Sequence, residues 1–274
     1  VIGARTERYP DLLDLCCAIT GRVPATGLHL TENRAGELLI RLVGVSKALQ
    51  QDDQFFAVLG HLIGKLAEDQ IPVIDGVSVR PIEDHLKAFS AAAASSGRVA
   101  LFHMVGITPE AATVADAFQK RAPERAIEIT SADLRAARSE LTTADGRELD
   151  MVILGSPHFS LDEFKRLAPL VAGRRAHKDV RFLVTSSRLM REQAHEAGVL
   201  APVLDFGAEI TLDTCILASP MLPPEIRTLM TNSAKYAYYA PSLLNRGVTF
   251  GSLADCVESA VEGRVVRDEV LWLA

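Results

Sequence analysis

MVILGSPHFSLDEF, residues 151–164, decides the fold. Met151 to Leu154 is a short continuous apolar run, the pattern of a buried strand, and Asp145-Gly146 sets a turn or hairpin before it. Gly155-Ser156-Pro157-His158 then interrupts the run and leads into a helix beginning near Leu161. The stretch is a strand, a polar turn and a helix in one piece.

The same unit recurs on both sides. Arg98 to Val105 reads as a strand, and Thr108-Pro109-Glu110 supplies a capping hydroxyl, a first-turn proline and a first-turn acid for a following helix. Val180 to Val184, then Thr185-Ser186-Ser187-Arg188, then a helix ending at Gly198 forms another unit. Glu209 to Leu212 with Asp213-Thr214-Cys215 begins one more. Nearer the start, a helix is predicted from Tyr9 to Thr20 with Gly21 stopping it, and a strand over Gly36 to Val45. A helix over Phe55 to Glu68, an extended segment at Pro72 and a helix over Ile82 to Ser95 follow. Strands alternating with helices predict an α/β fold of mostly parallel sheets flanked by helices. In such sheets ligands sit beyond the carboxyl ends of the strands, so the polar turns are expected to meet at one rim. No repeat, low-complexity linker or clean boundary divides the chain, and residues 1 to 274 are read as one continuous body.

Composition removes several function classes. The chain has 274 residues, 48% hydrophobic and 23% charged, with a net charge of -6 and a pI near 5.7. Its Lys and Arg are scattered, which argues against nucleic acid and anionic membranes as partners. Apolar runs such as Ala168 to Ala172 fall far short of the ~20 residues of a membrane span. Nothing at the start reads as a signal peptide, so a cytoplasmic location is the default expectation; Val1 in place of Met suggests a chain cut at its start. Four cysteines are too few for a secreted disulfide framework and read as thiols or metal ligands.

The chemistry concentrates in TNSAKYAYYAPSLLNRGVTFGSLADCVESA, residues 231–260, a segment rich in hydroxyls, with an amide, a lysine, three tyrosines and a cysteine. Cys215 and Cys256 sit where one crevice could receive both, although isolated cysteines are more often small buried apolar residues. Cys16 and Cys17 are adjacent on a helix, so one of them faces any given site. His158 is a candidate acid, base or ligand, with a loop-bonded surface histidine as the competing reading; His103, inside a strand, reads better as a satisfied core residue. Lys235 and Tyr239 share a helix face, but the Tyr-x-x-x-Lys order of short-chain reductases is reversed. No dinucleotide fingerprint, phosphate loop or nucleophile elbow occurs.

Six segments, in order over nearly the whole chain, resemble the catalytic region of aconitase X: Gly3 to Arg34, HMVGITPEA from His103, LGSPHFSLDEF from Leu154, LDTC from Leu212, TNSAKYAYYAP from Thr231 and FGSLADCVESAVEG from Phe250. The resemblance implies an aconitase-like three-layer αβα architecture. It also implies an iron–sulfur-dependent dehydratase acting on a small hydroxy acid, either cis-3-hydroxy-L-proline or phosphomevalonate, with a small swivelling domain or subunit as partner. That domain and the family's more N-terminal Cys-Ala-Pro-Tyr type motif are not found in the sequence. A non-catalytic binding or structural relative is the competing class.

Carried onto this sequence, the resemblance makes Cys215 and Cys256 the expected cluster ligands, with either Cys16 or the cysteine of the absent N-terminal motif as the third. Ser233, Lys235 and His103 are the candidates for the base that takes a C–H proton beside the carboxylate. Ser156, His158, Ser186, Ser187, Arg188 and Asn232 are expected to hold the substrate, Arg188 through a bidentate fork. Tyr238 stands where many relatives have His, and Pro10 replaces a common Gly. The absence of a concentrated basic loop favours the amino acid over the phosphorylated substrate.

Overall fold

The computed structural model describes residues 1–8, 10 and 12–273. Tyr9, where the first helix is expected to begin, lies outside the described residues, as do Asp11 and Ala274. In chain order the elements are α1 Leu13–Thr20, β1 Leu38–Leu42, α2 Lys47–Gln51, α3 Phe55–Ala67, β2 Pro72–Asp75, α4 Glu83–Ser96, β3 His103–Met104, α5 Val114–Ala117, β4 Arg125–Ile129 and α6 Ser131–Glu140. They continue with β5 Met151–Phe159, α7 Leu161–Val171, β6 Arg181–Ser186, α8 Arg188–Glu196, α9 Leu200–Asp205, β7 Ala208–Leu212, β8 Thr228–Thr231, α10 Ala234–Leu244, β9 Gly247–Phe250, α11 Leu253–Glu262 and α12 Val270–Leu273.

The strands form two sheets, ordered β3-β2-β1-β4 and β7-β6-β5-β8-β9. Every pairing is parallel, so the expected α/β class with helix-flanked parallel sheets holds. Parallel sheets need cover on both faces, and the central strand β5 is buried throughout its first half, from Met151 to Gly155. One apolar cluster joins residues of both sheets, from Leu38 and Ile40 through Met151 and Ile153 to Val248 and Phe250. A second cluster covers the other face of the second sheet with Phe164, Leu167, Val171, Leu253 and Val257.

Local chemistry sets the ends of the elements. The predicted stop at Gly21 is a left-handed residue whose N–H bonds the Cys17 carbonyl. Ser160 and Glu163 form a reciprocal capping box at α7, and Ser252 with Asp255 does the same at α11. The alanine tract of α4 does let its neighbour approach: a Cβ on Gly60 or Gly64 of α3 would collide with the backbone of Phe89 or Ala93.

Three expectations change. The strand over Arg98 to Val105 shrinks to His103–Met104. No helix starts at Thr108-Pro109-Glu110, because the Thr108 hydroxyl turns back to Met104 and Glu110 pairs with Arg34; the helix begins at Val114, under a Thr113–Asp116 capping box. Gly155 to His158 is not a loop but the distal end of β5, with a register shift against β6 between Leu154 and Phe159. Among the described residues no helix is long and apolar enough to cross a membrane.

Candidate functional site

In the second sheet the chain leaves β5 towards β6 and β7 on one side, and leaves β8 towards β9 on the other. The gap between the carboxyl ends of β5 and β8 is therefore the topological switch point, where a crevice forms without any help from side chains. It is lined by Ser156-Pro157-His158 from β5 and Asn232-Ser233 from the turn after β8. The Ser233 hydroxyl donates to the Ser156 carbonyl and ties the two ends together. The same oxygen caps α10 by accepting from the Tyr236 N–H at 3.1 Å.

On one side of that tie lies a cavity of 240 Å³ between β5, β6, the Thr214–Leu217 segment and the first turn of α10. Its apolar walls are Ile153, Pro157, Ile216 and Leu217; its polar groups are Thr185, His158, Cys215, Lys235 and Tyr236. The His158 Nε2 donates to the Thr214 carbonyl at 2.8 Å, which brings the β5 end against the Cys215 segment. A carbonyl only accepts, so the hydrogen lies on Nε2 and the neutral ring keeps its lone pair on Nδ1. Gly155 has φ +91°, and a Cβ there would lie 2.1 Å from the Thr185 carbonyl, so this wall requires glycine. Tyr236 is 1% exposed, and burial, with the nearby Cys215, raises its phenol well above its ordinary range.

On the other side of the tie is a tight polar crevice of 50 Å³ bordered by Asp53, Asp84, Lys87, Glu163, Arg166 and Asn232. Lys87 bonds Asp84 at 2.9 Å and Glu163 at 2.5 Å. Desolvation raises Glu163 despite that lysine. Asp53 presents exposed surface, yet its carboxylate accepts from the Leu253 N–H at 2.9 Å. Desolvation in the crevice, with Asp52 and Asp255 nearby, pushes it up to about 6. A larger groove of 920 Å³ runs between Val1-Ile2, α4 and the start of α7. It reaches the β5 end at Pro157 and His158, and its Asp84 and Lys87 already pair with each other.

The expected residues scatter in an informative way. Lys235, His158 and Ser156 line the cavity with Cys215; Asn232 and Ser233 border the crevice beside it. Ser186 and Ser187 do not reach either space: the Ser186 hydroxyl donates to the Phe159 carbonyl at 2.8 Å, and Ser187 caps α8. Arg188 is 82% exposed in its side chain and pairs through Nε with Asp213, away from both spaces. His103 is buried on β3 in the other sheet, its Nε2 at 2.7 Å from the Arg34 carbonyl. It borders a separate crevice with Arg34 and Glu110, and desolvation lowers its pKa.

The cysteines are not brought together. Cys16 is exposed on α1, whose residues are all at least partly exposed, and Cys215 is exposed at the cavity. Cys256 is 0% exposed within the apolar cluster of Leu253, Val257 and Ala260. Desolvation first, then Asp255 and Asp53, raise its thiol far above the usual range. Among the described residues no three His, Cys, Asp or Glu side chains are grouped to hold a metal ion. An iron–sulfur centre needs convergent thiolates, and this donor set does not fit one.

Comparisons with known proteins agree over the whole chain. Residues 149–262 match the aconitase X third domain, 36–139 the second domain and 1–32 the first domain. The chain is 48% identical, over its full length, to cis-3-hydroxy-L-proline dehydratase of Pseudomonas aeruginosa, covering 47% of that protein. It is 44% identical over 96% of its length to the protein of the same name from Hypocrea jecorina, covering 45% of it. The phosphomevalonate dehydratase large subunit of Methanocaldococcus jannaschii is 32% identical over 96% of the chain, which covers 64% of that subunit. The crystal structure of Thermococcus kodakaraensis aconitase X (holo-form) superposes with a TM-score of 0.81 at 28% identity, over 95% of this chain and 64% of the other. The chain spans about half the length of the first two relatives.

Proposed function

The chain belongs to the aconitase X family, and on that premise we propose that it is the part of a hydro-lyase that carries the pocket for cis-3-hydroxy-L-proline. The observation that carries this reading is 48% identity over the full chain to a protein of that activity, against 32% for the phosphomevalonate subunit. The cavity agrees with it: its walls carry one lysine and no arginine, enough charge for one carboxylate and little for a phosphate.

The elimination needs a base for the C2–H bond beside the carboxylate. His158 fits that role, because its Nε2–H is committed to the Thr214 carbonyl and Nδ1 is the nitrogen left to accept a proton. Ser233 is less suited, since its oxygen already serves Ser156 and the Tyr236 N–H. His103 borders a different crevice. As the C2–H bond breaks, its electron pair forms the C2–C3 double bond and negative charge spreads onto the carboxylate, where the Lys235 ammonium stabilises it. The C3–O bond breaks and the leaving hydroxyl takes up the proton that His158 removed from C2, so water departs and the neutral imidazole is restored. The resulting enamine tautomerises to 1-pyrroline-2-carboxylate. An iron–sulfur group is the Lewis acid the resemblance implies for the departing hydroxyl, but the donors among the described residues do not fit one.

Assaying the full-length protein, with any partner subunit, against both candidate substrates tests the proposal. Turnover of cis-3-hydroxy-L-proline is expected; turnover of phosphomevalonate alone would overturn it.

A further inference from the structure

Among the described residues Tyr236 is the largest fully buried side chain, and its polar atom has nothing to bond. It is 1% exposed, and its hydroxyl has no hydrogen-bond partner among the described residues. A buried unpartnered hydroxyl costs roughly 1–3 kcal/mol, and phenylalanine would fill the same space without that cost. Tyr236 lines the 240 Å³ cavity, which is about eight times the roughly 30 Å³ that one water occupies in the liquid.

The other polar groups of the cavity are engaged by the protein. Thr185 donates to the Gly155 carbonyl at 2.5 Å, His158 Nε2 donates to the Thr214 carbonyl, and the Ser156 carbonyl accepts from Ser233. Besides the Cys215 thiol, a weak donor, two strong donors are left. One is the Tyr236 hydroxyl; the other is the half-buried Lys235 ammonium, which makes no ion pair among the described residues. They are consecutive in the chain and share the first turn of α10, which Ser233 fixes through its cap on the Tyr236 N–H. A neutral donor and a cationic donor side by side match the two oxygens of one carboxylate.

We infer that the Tyr236 hydroxyl and the Lys235 ammonium together form the carboxylate-binding element of this cavity, and that its ligand is a small cyclic acid whose ring lies against Ile153, Pro157 and Ile216. The choice of a proline-type ring rests on the hydro-lyase reading above; the carboxylate site itself rests on the cavity. Tyr236 is a positioning residue, holding the acid so that its C2 faces the His158 side of the cavity.

The test uses the full-length protein, Tyr236→Phe and Lys235→Met, with L-proline and L-prolinamide as probes in isothermal titration calorimetry. L-proline has the ring and carboxylate without a leaving group, and the amide lacks the negative charge. Tyr236→Phe is expected to weaken L-proline about 10- to 100-fold, the usual scale for losing one buried donor to a ligand, to raise KM for cis-3-hydroxy-L-proline more than it lowers kcat, and to leave the melting temperature unchanged or higher. Wild-type protein that binds L-proline no better than the amide overturns the inference. So does a Tyr236→Phe protein that binds L-proline as tightly as wild type, or that melts several degrees lower, since the hydroxyl would then serve the fold. Turnover is a separate readout. A protein that fails to dehydrate the hydroxy acid but binds L-proline through Tyr236 sinks the hydro-lyase reading and keeps the site; an active enzyme indifferent to Tyr236→Phe does the reverse.

Discussion

His158 Nε2 lies 2.8 Å from the Thr214 carbonyl, and that one bond joins the end of the central strand β5 to the segment carrying Cys215. It fixes the ring's tautomer, and it closes one wall of the cavity. His158→Gln keeps a donor for Thr214 but has no basic nitrogen. Its kcat is expected to fall about 10²- to 10⁴-fold, the range for losing a general base, with a thermal midpoint close to wild type because the residue is exposed. A loss in KM alone, with kcat intact, would move His158 from proton transfer to binding.

Ser233 holds the switch point together through the Ser156 carbonyl and the cap of α10. Ser233→Ala loses both contacts, and unfolding is expected to become easier by about 1–2 kcal/mol. Ser233→Thr keeps the hydroxyl and should recover most of that in urea titrations. Equal stability of the two variants would show that the tie contributes nothing.

Cys256 is sealed in apolar packing, whereas Cys16 and Cys215 reach the surface. Iodoacetamide should therefore label Cys16 and Cys215 in the native protein and Cys256 only after unfolding, read by peptide mass spectrometry. Cys256→Ser places an unmatched hydroxyl in that cluster and is expected to cost about 1–3 kcal/mol. Native labelling of Cys256 at the rate of Cys215 contradicts the packing of α11.

Asp53 has a folded pKa of about 6 against 3.8 for the free group, raised by desolvation and by Asp52 and Asp255. The folded state holds that proton more tightly, so the contribution to stability is fully present below 3.8 and is lost as pH rises through about 6. Asp53→Asn keeps an acceptor for the Leu253 N–H and removes the titration. The variant should gain stability relative to wild type between pH 4 and pH 7, measured by denaturant titration at each pH. A difference that stays flat across that window contradicts the raised value.

Much of the fold was legible because parallel sheets write themselves in local signals. The apolar run at Met151, the glycines at 21 and 198 and the strand at Glu209 each carry their element in a few residues. Thr108-Pro109-Glu110 misled because its capping chemistry is genuine, but Arg34, 76 residues away, takes the glutamate. The site was partly legible for the same reason. Ser156, His158, Cys215, Asn232, Ser233 and Lys235 sit at strand ends, which topology collects at one rim. Ser186, Ser187 and Arg188 also sit at a strand end, but the first two are taken up by local bonds and the third by Asp213.

Asp53 and Tyr236 were missed, and Thr185 was legible only as part of its strand-end turn. Asp53 has no local motif, and nothing in the run of three tyrosines tells which one turns inward. In the structure Tyr238 is 42% exposed and packs edge-on against Tyr239, while Tyr236 is buried. Cys256 shows the opposite limit: its sequence motif carries the resemblance, and its surroundings are those of a core residue.

The measurement that tests the central claim most directly is nuclear magnetic resonance of cis-3-hydroxy-L-proline incubated with the full-length protein in D₂O. Elimination across C2 and C3 predicts early product that is 1-pyrroline-2-carboxylate with one deuterium at C3, placed there when the enamine tautomerises, and no C2 hydrogen. Unchanged substrate, or a product that keeps the original C2 hydrogen, would contradict the account.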